Sequence, residues 1–432
     1  MGAELAMLLV FAMLLVIGAP IAIALAMGGI VGIWLGLDQM ALQMVGTNSY
    51  NGIAKYPLIA IPLFVLTGMA FERSGVAERL VTFAQALVGP RRGGLAVVAI
   101  LVCMVMGGMS GSGPADAAAV ATVMLPSMTR AGYPRAFSGS VIAASASTAI
   151  LIPPSIALIV YAVLVPGIDL RALFAAGLVP GLLAGLALVL PTMLISKKRG
   201  FGAAEGTVRP PLWPAFKAAL PGLFAPVLIL GGLRTGIFTP TETAAVAAVY
   251  GMAVGTFFYR TLGLGELYRI LADSAAVSAV IMFIVSLAGI FAWAGSTLGA
   301  FDSAAGALLA TTDNPAILLL LIMAVLLVAG MLLDGISIYL ITLPLLMPIA
   351  SAMEWNLVWF GVLMAMNIAI GQFTPPVAVN LMVTTRIAGV GMEETLRWTA
   401  WLVLSMTAAL LLVILVPGLA LWLPEALGYI VR

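Results

Sequence analysis

Histidine is absent from all 432 residues, and cysteine occurs once, as Cys103. The first absence removes the commonest general base and the commonest transition-metal ligand. The second excludes an internal disulfide and any cysteine cluster for metal. Charge is scarce as well: 19 basic and 17 acidic residues make up only 8% of the chain, against roughly 25% in soluble domains. That leaves no room for a sizeable soluble domain, and a net charge of +2 gives no reason to expect nucleic acid as a partner. No phosphate loop, paired carboxylates or nucleophile elbow is present. What fills the chain is apolar, 63% by residue with mean hydropathy +1.19. This is the composition of an all-α polytopic integral membrane protein embedded in a lipid bilayer.

The stretch Met1 to Pro20 is apolar, carries Glu4 and has no Lys or Arg, so it reads as a retained membrane segment rather than a cleaved signal. A crossing needs about 20 apolar residues. Residues 5–36 accommodate one tilted span, or two short ones broken at Gly18-Ala19-Pro20. Further candidates are 52–72, 136–166, 172–195, 216–234, 240–259, 270–295, 357–385 and 398–424. Two stretches, 94–130 and 315–350, are too long for one span and have polar breaks near their middles.

Charge chooses between two spans and a re-entrant hairpin only in part, but it fixes the ends. Arg91, Arg92, Arg130 and Arg135 flank 94–130 and put both of its ends inside. Asp302, Asp313 and Glu354 flank 315–350, whose ends therefore read as outside. Propagated along the chain, this topology leaves only Lys55, Arg171, Arg234 and Arg432 outside among the 19 basic residues. The two stretches thus enter from opposite faces, as in an inverted repeat. An offset of 222 aligns Gly108 with Gly330, Met109 with Met331, Gly113 with Gly335 and Pro126 with Pro348. It also aligns Gly139 with Gly361, Ala143 with Ala365, Pro153-Pro154 with Pro375-Pro376 and Gly167 with Gly389. Most of these are Gly or Pro, which fix backbone geometry.

The expected organisation is a first repeat, 1–199, with hairpin 94–130 and broken helix 136–166. A cytoplasmic linker, 200–215, leads to an inverted second repeat, 216–432, with hairpin 315–350 and broken helix 357–385. Val76 to Val88 and Thr297 to Ala310 occupy matching places and are either bracing surface helices or plain loops with frayed helix ends.

Each half offers two breaks at membrane depth: Ser110-Gly111-Ser112-Gly113-Pro114 and Pro153-Pro154-Ser155, then Asp334-Gly335 and Gln372-Phe373-Thr374-Pro375-Pro376. A Pro-Pro step removes two backbone donors. The carbonyls it frees, with Ser155, Gln372 and Thr374 nearby, suit a hard cation such as Na⁺, while half-helix N-termini attract anions. The bland alternative is a structural kink with small residues for close packing. Asp116 and Asp334 are the acidic residues expected at membrane depth and functional candidates on that ground. Asp334 is favoured for an ion site; Asp116, near the start of the helix after Pro114, is equally an N-terminal cap partner. Thr239-Pro240-Thr241-Glu242 reads as a capping box opening a helix.

Ala60-Ile-Pro-Leu-Phe64, Gly107-Gly-Met-Ser-Gly-Ser-Gly113, Pro126 with Gly132-Tyr133, Ile152-Pro-Pro-Ser155, Phe238-Thr-Pro-Thr-Glu242, Leu333-Asp-Gly335 and Thr374-Pro-Pro376 come in an order found in one family. The chain resembles, over nearly its whole length, the large membrane subunit of tripartite ATP-independent periplasmic (TRAP) transporters. Gly-Gly-Met before Ser110 departs from the bulkier residues expected there. The resemblance implies an elevator-type secondary transporter in a bacterial or archaeal inner membrane, not an enzyme, with Na⁺ as coupling ion and no organic cofactor. It implies uptake of a small organic acid, such as a C4-dicarboxylate or sialic acid. A periplasmic substrate-binding protein would deliver it, beside a small four-helix membrane subunit. Carried over by motif, Ser110, Ser112 and Asp116 belong to the first hairpin's ion and substrate region, and Asp334, Gly335 and Thr374 to the second. Ser110, Gly111, Ser112, Asp116, Pro153, Pro154, Ser155, Asp334, Gly335, Gln372, Thr374 and Pro375 are the candidate substrate and ion residues. Ser110, Ser112, Asp334, Gly335 and Thr374 are the Na⁺ candidates among them. The runner-up is a stand-alone dicarboxylate or citrate carrier of related hairpin architecture; an intramembrane enzyme or a structural scaffold is the weakest reading.

Overall fold

The computed structural model describes residues 2–37, 39–202, 209–312 and 314–431. Those residues form helices joined by short turns, with no strand among them. The reason is solvent: in hydrocarbon every backbone polar group must be satisfied within its own segment. Among the described residues seven helices are long and apolar enough to cross a membrane, the longest being Leu264–Thr297 and Leu170–Arg199.

The stretch 5–36 is two helices, Ala3–Val16 and Ile21–Gly36, reversed at Gly18 with φ 81°. They pack closely because the second presents glycine. A Cβ built on Gly36 would lie 2.6 Å from the Ala3 Cβ, and one on Gly32 3.1 Å from Met7. Both long stretches are helical hairpins. Gly94–Ser110 and Gly113–Arg130 meet at Gly111-Ser112, and Pro315–Leu332 and Gly335–Ala352 meet at Leu333-Asp334. The helices after the tips begin at Gly113 and Gly335, the aligned pair, and each runs 18 residues. Both expected broken helices are broken. Arg135–Ala146 and Ile156–Leu164 flank the first Pro-Pro step; Leu357–Gly371 and Val379–Ala388 flank the second.

The broken helices cross-pack through another aligned pair. A Cβ on Gly139 would meet Thr384 at 3.7 Å, and one on Gly361 would meet the Tyr161 ring at 2.5 Å. Each half-helix thus receives a side chain from the far half of the other break.

Several boundaries differ from expectation. The linker 200–215 ends early, because Pro211 opens the helix Leu212–Thr235; residues 203–208 of it lie outside the described residues, as do Asp313 and Arg432. The candidate 398–424 is interrupted at Val416-Pro417 into Leu396–Leu415 and Gly418–Ala426. The candidate 52–72 is entered through a separate helix, Met44–Ile53, and a short tight turn, Tyr56–Ile59, before Ala60–Arg73. The candidate 240–259 is an α-helix only to Ala253, then widens over Val254–Phe258. The capping box is formed: Glu242 N–H donates to Thr239 Oγ1 at 3.3 Å, and Thr239 N–H donates to Glu242 Oε2 at 2.8 Å.

Two groups of helices result. A wall group comprises residues 3–73 and 212–297, held by packing of Ala60–Arg73 and Ile21–Gly36 against Leu264–Thr297 and of Ala60–Arg73 against Pro240–Ala253. A hairpin group comprises 94–199 and 315–426. The helices Val76–Val88 and Ala300–Leu309 connect them in sequence and are helical, not loops; Thr297 belongs to the helix before the second of them.

Candidate functional site

The local backbone of the first tip follows from its glycines. Gly111 takes φ 60°, and a Cβ there would sit 2.4 Å from the Pro154 carbonyl oxygen. The tip of the first hairpin therefore rests directly on the first Pro-Pro break. The arm before it approaches the same broken helix backbone to backbone, since a Cβ on Gly107 would lie 2.8 Å from Ala149 Cα. The second hairpin repeats this arrangement. A Cβ on Gly371 would lie 2.5 Å from Gly330 Cα, and the Met331 carbonyl accepts hydrogen bonds from Val377 and Ala378 N–H, each 3.2 Å. Both Pro-Pro bonds are cis.

The two tips open on one cavity of about 210 Å³. Ser110, Gly111, Ser112, Gly113, Asp334, Gly335 and Gln372 line it, facing Val65, Gly68, Met69 and Glu72 of one wall helix and Val277 and Ile281 of another. Six of the twelve candidate residues are thus brought together. Asp116, Pro153, Pro154, Ser155, Thr374 and Pro375 support the cavity without lining it. Ser155 caps Ile156–Leu164 by accepting from Leu158 N–H at 3.3 Å. Thr374 donates its hydroxyl to the Ile370 carbonyl at 2.6 Å.

The two aspartates have different geometry. Asp334 is the N-cap of Gly335–Ala352, accepting from Ile336 and Ser337 N–H at 3.1 and 3.2 Å and from the Ser337 hydroxyl. Asp116 caps nothing. It lies four residues beyond the N-cap Ser112, is 1% exposed, and accepts the Ser110 hydroxyl on Oδ1 at 2.7 Å. Ser110 Oγ in turn accepts from Ser112 N–H at 3.2 Å. Asp116 therefore clips the tip from beneath, and its Oδ2 has no partner among the described residues. No side chain caps Gly113–Arg130, whose first residues Gly113, Pro114 and Ala115 line the cavity, whereas the N-terminus at Gly335 is closed by a carboxylate.

Three contributors were not singled out from sequence. Gly68 lets the wall helix touch the tip, since a Cβ there would meet the Ser110 carbonyl at 3.0 Å. Glu72 lines the cavity at the end of an apolar run, beside Arg73, where it reads as a span terminus. The signal available was spacing: Val65, Gly68, Met69 and Glu72 recur on one helical face. Asn380, fully buried, reaches from the second broken helix to the first tip: a Cβ on Gly113 would lie 2.8 Å from Asn380 Nδ2 and from Gln372 Oε1. Among the described residues no cluster of three His, Cys, Asp or Glu is placed to hold a metal ion.

The chain has known relatives. The family described as "Tripartite ATP-independent periplasmic transporter, DctM component" matches residues 8–419. A C4-dicarboxylate TRAP transporter large permease protein, DctM, of Pseudomonas aeruginosa is 37% identical over 390 residues, 90% of each chain. A sialic acid TRAP transporter large permease protein, SiaM, of Vibrio cholerae is 37% identical over 395 residues, 91% of each chain. Among solved structures, the Alcanivorax borkumensis YdaH transporter has the same fold, with TM-score 0.64 over 89% of this chain and 91% of that one at 13% identity. The chain belongs to the DctM component family of tripartite ATP-independent periplasmic transporters, as a multi-pass large permease subunit.

Proposed function

We propose that this subunit takes up a small organic acid, a C4-dicarboxylate, sialic acid or similar carboxylate, together with Na⁺, across a bacterial or archaeal inner membrane. The observation that carries the reading is the cavity shared by both hairpin tips, because it is acidic yet open to a helix N-terminus. Glu72 and Asp334 line it, and no basic side chain does. A carboxylate substrate entering alone would meet like charge at low dielectric. Cations bound beside it remove that penalty, which is a physical reason for coupling. Na⁺ takes oxygen ligands from Ser110 and Ser112 at one tip and from Asp334 and Gly335 at the other, with Thr374 behind them holding the broken helix; the substrate carboxylate is drawn to the uncapped N-terminus at Gly113. Na⁺ here is cargo, and hydroxyl, carboxylate and carbonyl oxygens are the donors it requires.

The matching contacts of the two halves support an inverted repeat, and the stitching of each tip to its own break supports movement of the hairpin group as one body past the wall, an elevator. The word tripartite fits two partners, a periplasmic substrate-binding protein and a small four-helix membrane subunit. The test is uptake into liposomes holding both membrane subunits, with the binding protein outside. Uptake should require an inward Na⁺ gradient and the binding protein. Accumulation with the Na⁺ gradient collapsed would overturn the coupling, and accumulation without the binding protein would make the chain a stand-alone carrier.

A further inference from the structure

A second cavity, about 340 Å³, lies far from the tips, between the start of Leu170–Arg199, the end of Leu212–Thr235 and the C-terminal segment after Gly418–Ala426. Its walls are apolar: Phe174, Leu178, Leu230, Leu233 and Leu423. At its mouth stand two arginines on one aromatic ring, Arg171 and Arg234, with guanidinium carbons 5.7 and 5.8 Å from the Tyr429 centroid. These are two of the four basic residues that the charge pattern leaves on the outer face, where basic residues are otherwise avoided. Their convergence is therefore unexpected for a bare rim.

Arg171 is paired with Asp169 at 3.0 Å and offers donors rather than net charge. Arg234 has no carboxylate partner among the described residues and gives one N–H to the Leu427 carbonyl at 3.0 Å. Beyond the cavity, Leu182, Leu186 and Leu190 form an exposed stripe four residues apart along Leu170–Arg199, and Val227, Phe224 and Leu220 are exposed along Leu212–Thr235. An apolar slot continuous with lipid-facing leucines and headed by guanidinium groups matches an anionic phospholipid: chain in the slot, phosphate at the arginines. We propose that this cavity binds one anionic phospholipid of the outer leaflet. Because Arg234 belongs to the wall group and Arg171 to the hairpin group, the phosphate bridges the two.

The test is native mass spectrometry of the purified membrane complex exchanged into phosphatidylglycerol or phosphatidylcholine. One phosphatidylglycerol should be retained in preference to phosphatidylcholine, and each of Arg234→Gln and Arg171→Gln should weaken retention about fivefold. Gly231→Leu is the control for misfolding. A Cβ at Gly231 meets nothing within 4 Å, so the leucine enters the cavity, leaves both arginines in place and should expel the lipid while Tm holds. Lys217→Gln, on the opposite face, should change nothing. Equal retention of the two lipids would overturn the proposal, as would undiminished preference in the Arg171→Gln/Arg234→Gln double variant. Displacement of the lipid by inorganic phosphate alone would mark a free-anion site instead. A cross-link from Ala175→Cys to the small subunit would mark a protein contact there.

Discussion

Ser110 and Asp116 form a buried polar pair beneath the first tip. A carboxylate buried at membrane depth is costly unless hydrogen-bonded, and here one oxygen holds Ser110 while the other has no partner among the described residues. Asp116→Ala strips Ser110 of its acceptor, and the expected loss of stability is about 1–3 kcal/mol. A cycle with Ser110→Ala, read by thermal unfolding in detergent, should show the two losses to be strongly non-additive; simple addition would mean that the bond contributes nothing. Asp334 calls for a different pair of variants. Asparagine caps a helix about as well as aspartate does, so Asp334→Asn should keep its Tm yet raise the Na⁺ concentration needed for half-maximal uptake. Asp334→Ala should lose about 0.5–2 kcal/mol of stability as well. An unchanged Na⁺ dependence in Asp334→Asn would remove that carboxylate from the ion site.

At the level of elements, the glycine contacts decide what can be changed. Gly111→Ala forces a Cβ into the Pro154 carbonyl at a left-handed φ, and Gly371→Ala forces one into the Gly330 backbone. Neither neighbour is a flexible side-chain end, so each should cost about 1–3 kcal/mol and abolish uptake. Thr239→Ala, by contrast, removes only the capping box and should cost about 1 kcal/mol with uptake per folded molecule unchanged; a specific loss of uptake would give that cap a functional role. The hairpins, both broken helices and the cap were legible in the sequence because Gly, Pro and N-cap residues act through local backbone geometry. Glu72 and Asn380 were not, since their role depends on which helix lies opposite, and that is set by packing between segments distant in the chain. The sequence favours Asp334 for an ion site and makes Asp116 equally a cap partner, but the structure reverses the cap: Asp334 falls at the N-cap and Asp116 a turn inside the helix.

For the molecule as a whole, the proposed transport depends on the two groups changing their relation. A single buried cysteine, Cys103, makes this easy to probe once it is replaced. Lys55 Nζ approaches the Val163 carbonyl at 3.4 Å across the two groups, whereas Ser49 and Ser286, with hydroxyls 2.7 Å apart, belong to one. Bridging Lys55→Cys to Val163→Cys should stop uptake reversibly, and bridging Ser49→Cys to Ser286→Cys should leave it intact. Full activity in the first cross-linked pair would exclude sliding as the transport step.

The wall offers one more consequence. Its surface toward the cavity is Val65, Gly68, Met69, Val277 and Ile281, with Glu72 at the end. Among the described residues, the one side-chain hydrogen bond between the two groups is that of Lys55 to Val163, and Arg234 bonds Leu427 just past the hairpin group; both are exposed. If the hairpin group moves as proposed, such a surface would act as a bearing. Side chains of modest size can trade neighbours along it without stripping any polar atom of its partner, so friction is concentrated in a few contacts at the periphery. Travel speed would then be set at the edge of the molecule, and mutations there should alter turnover while leaving the affinity of the distant cavity untouched.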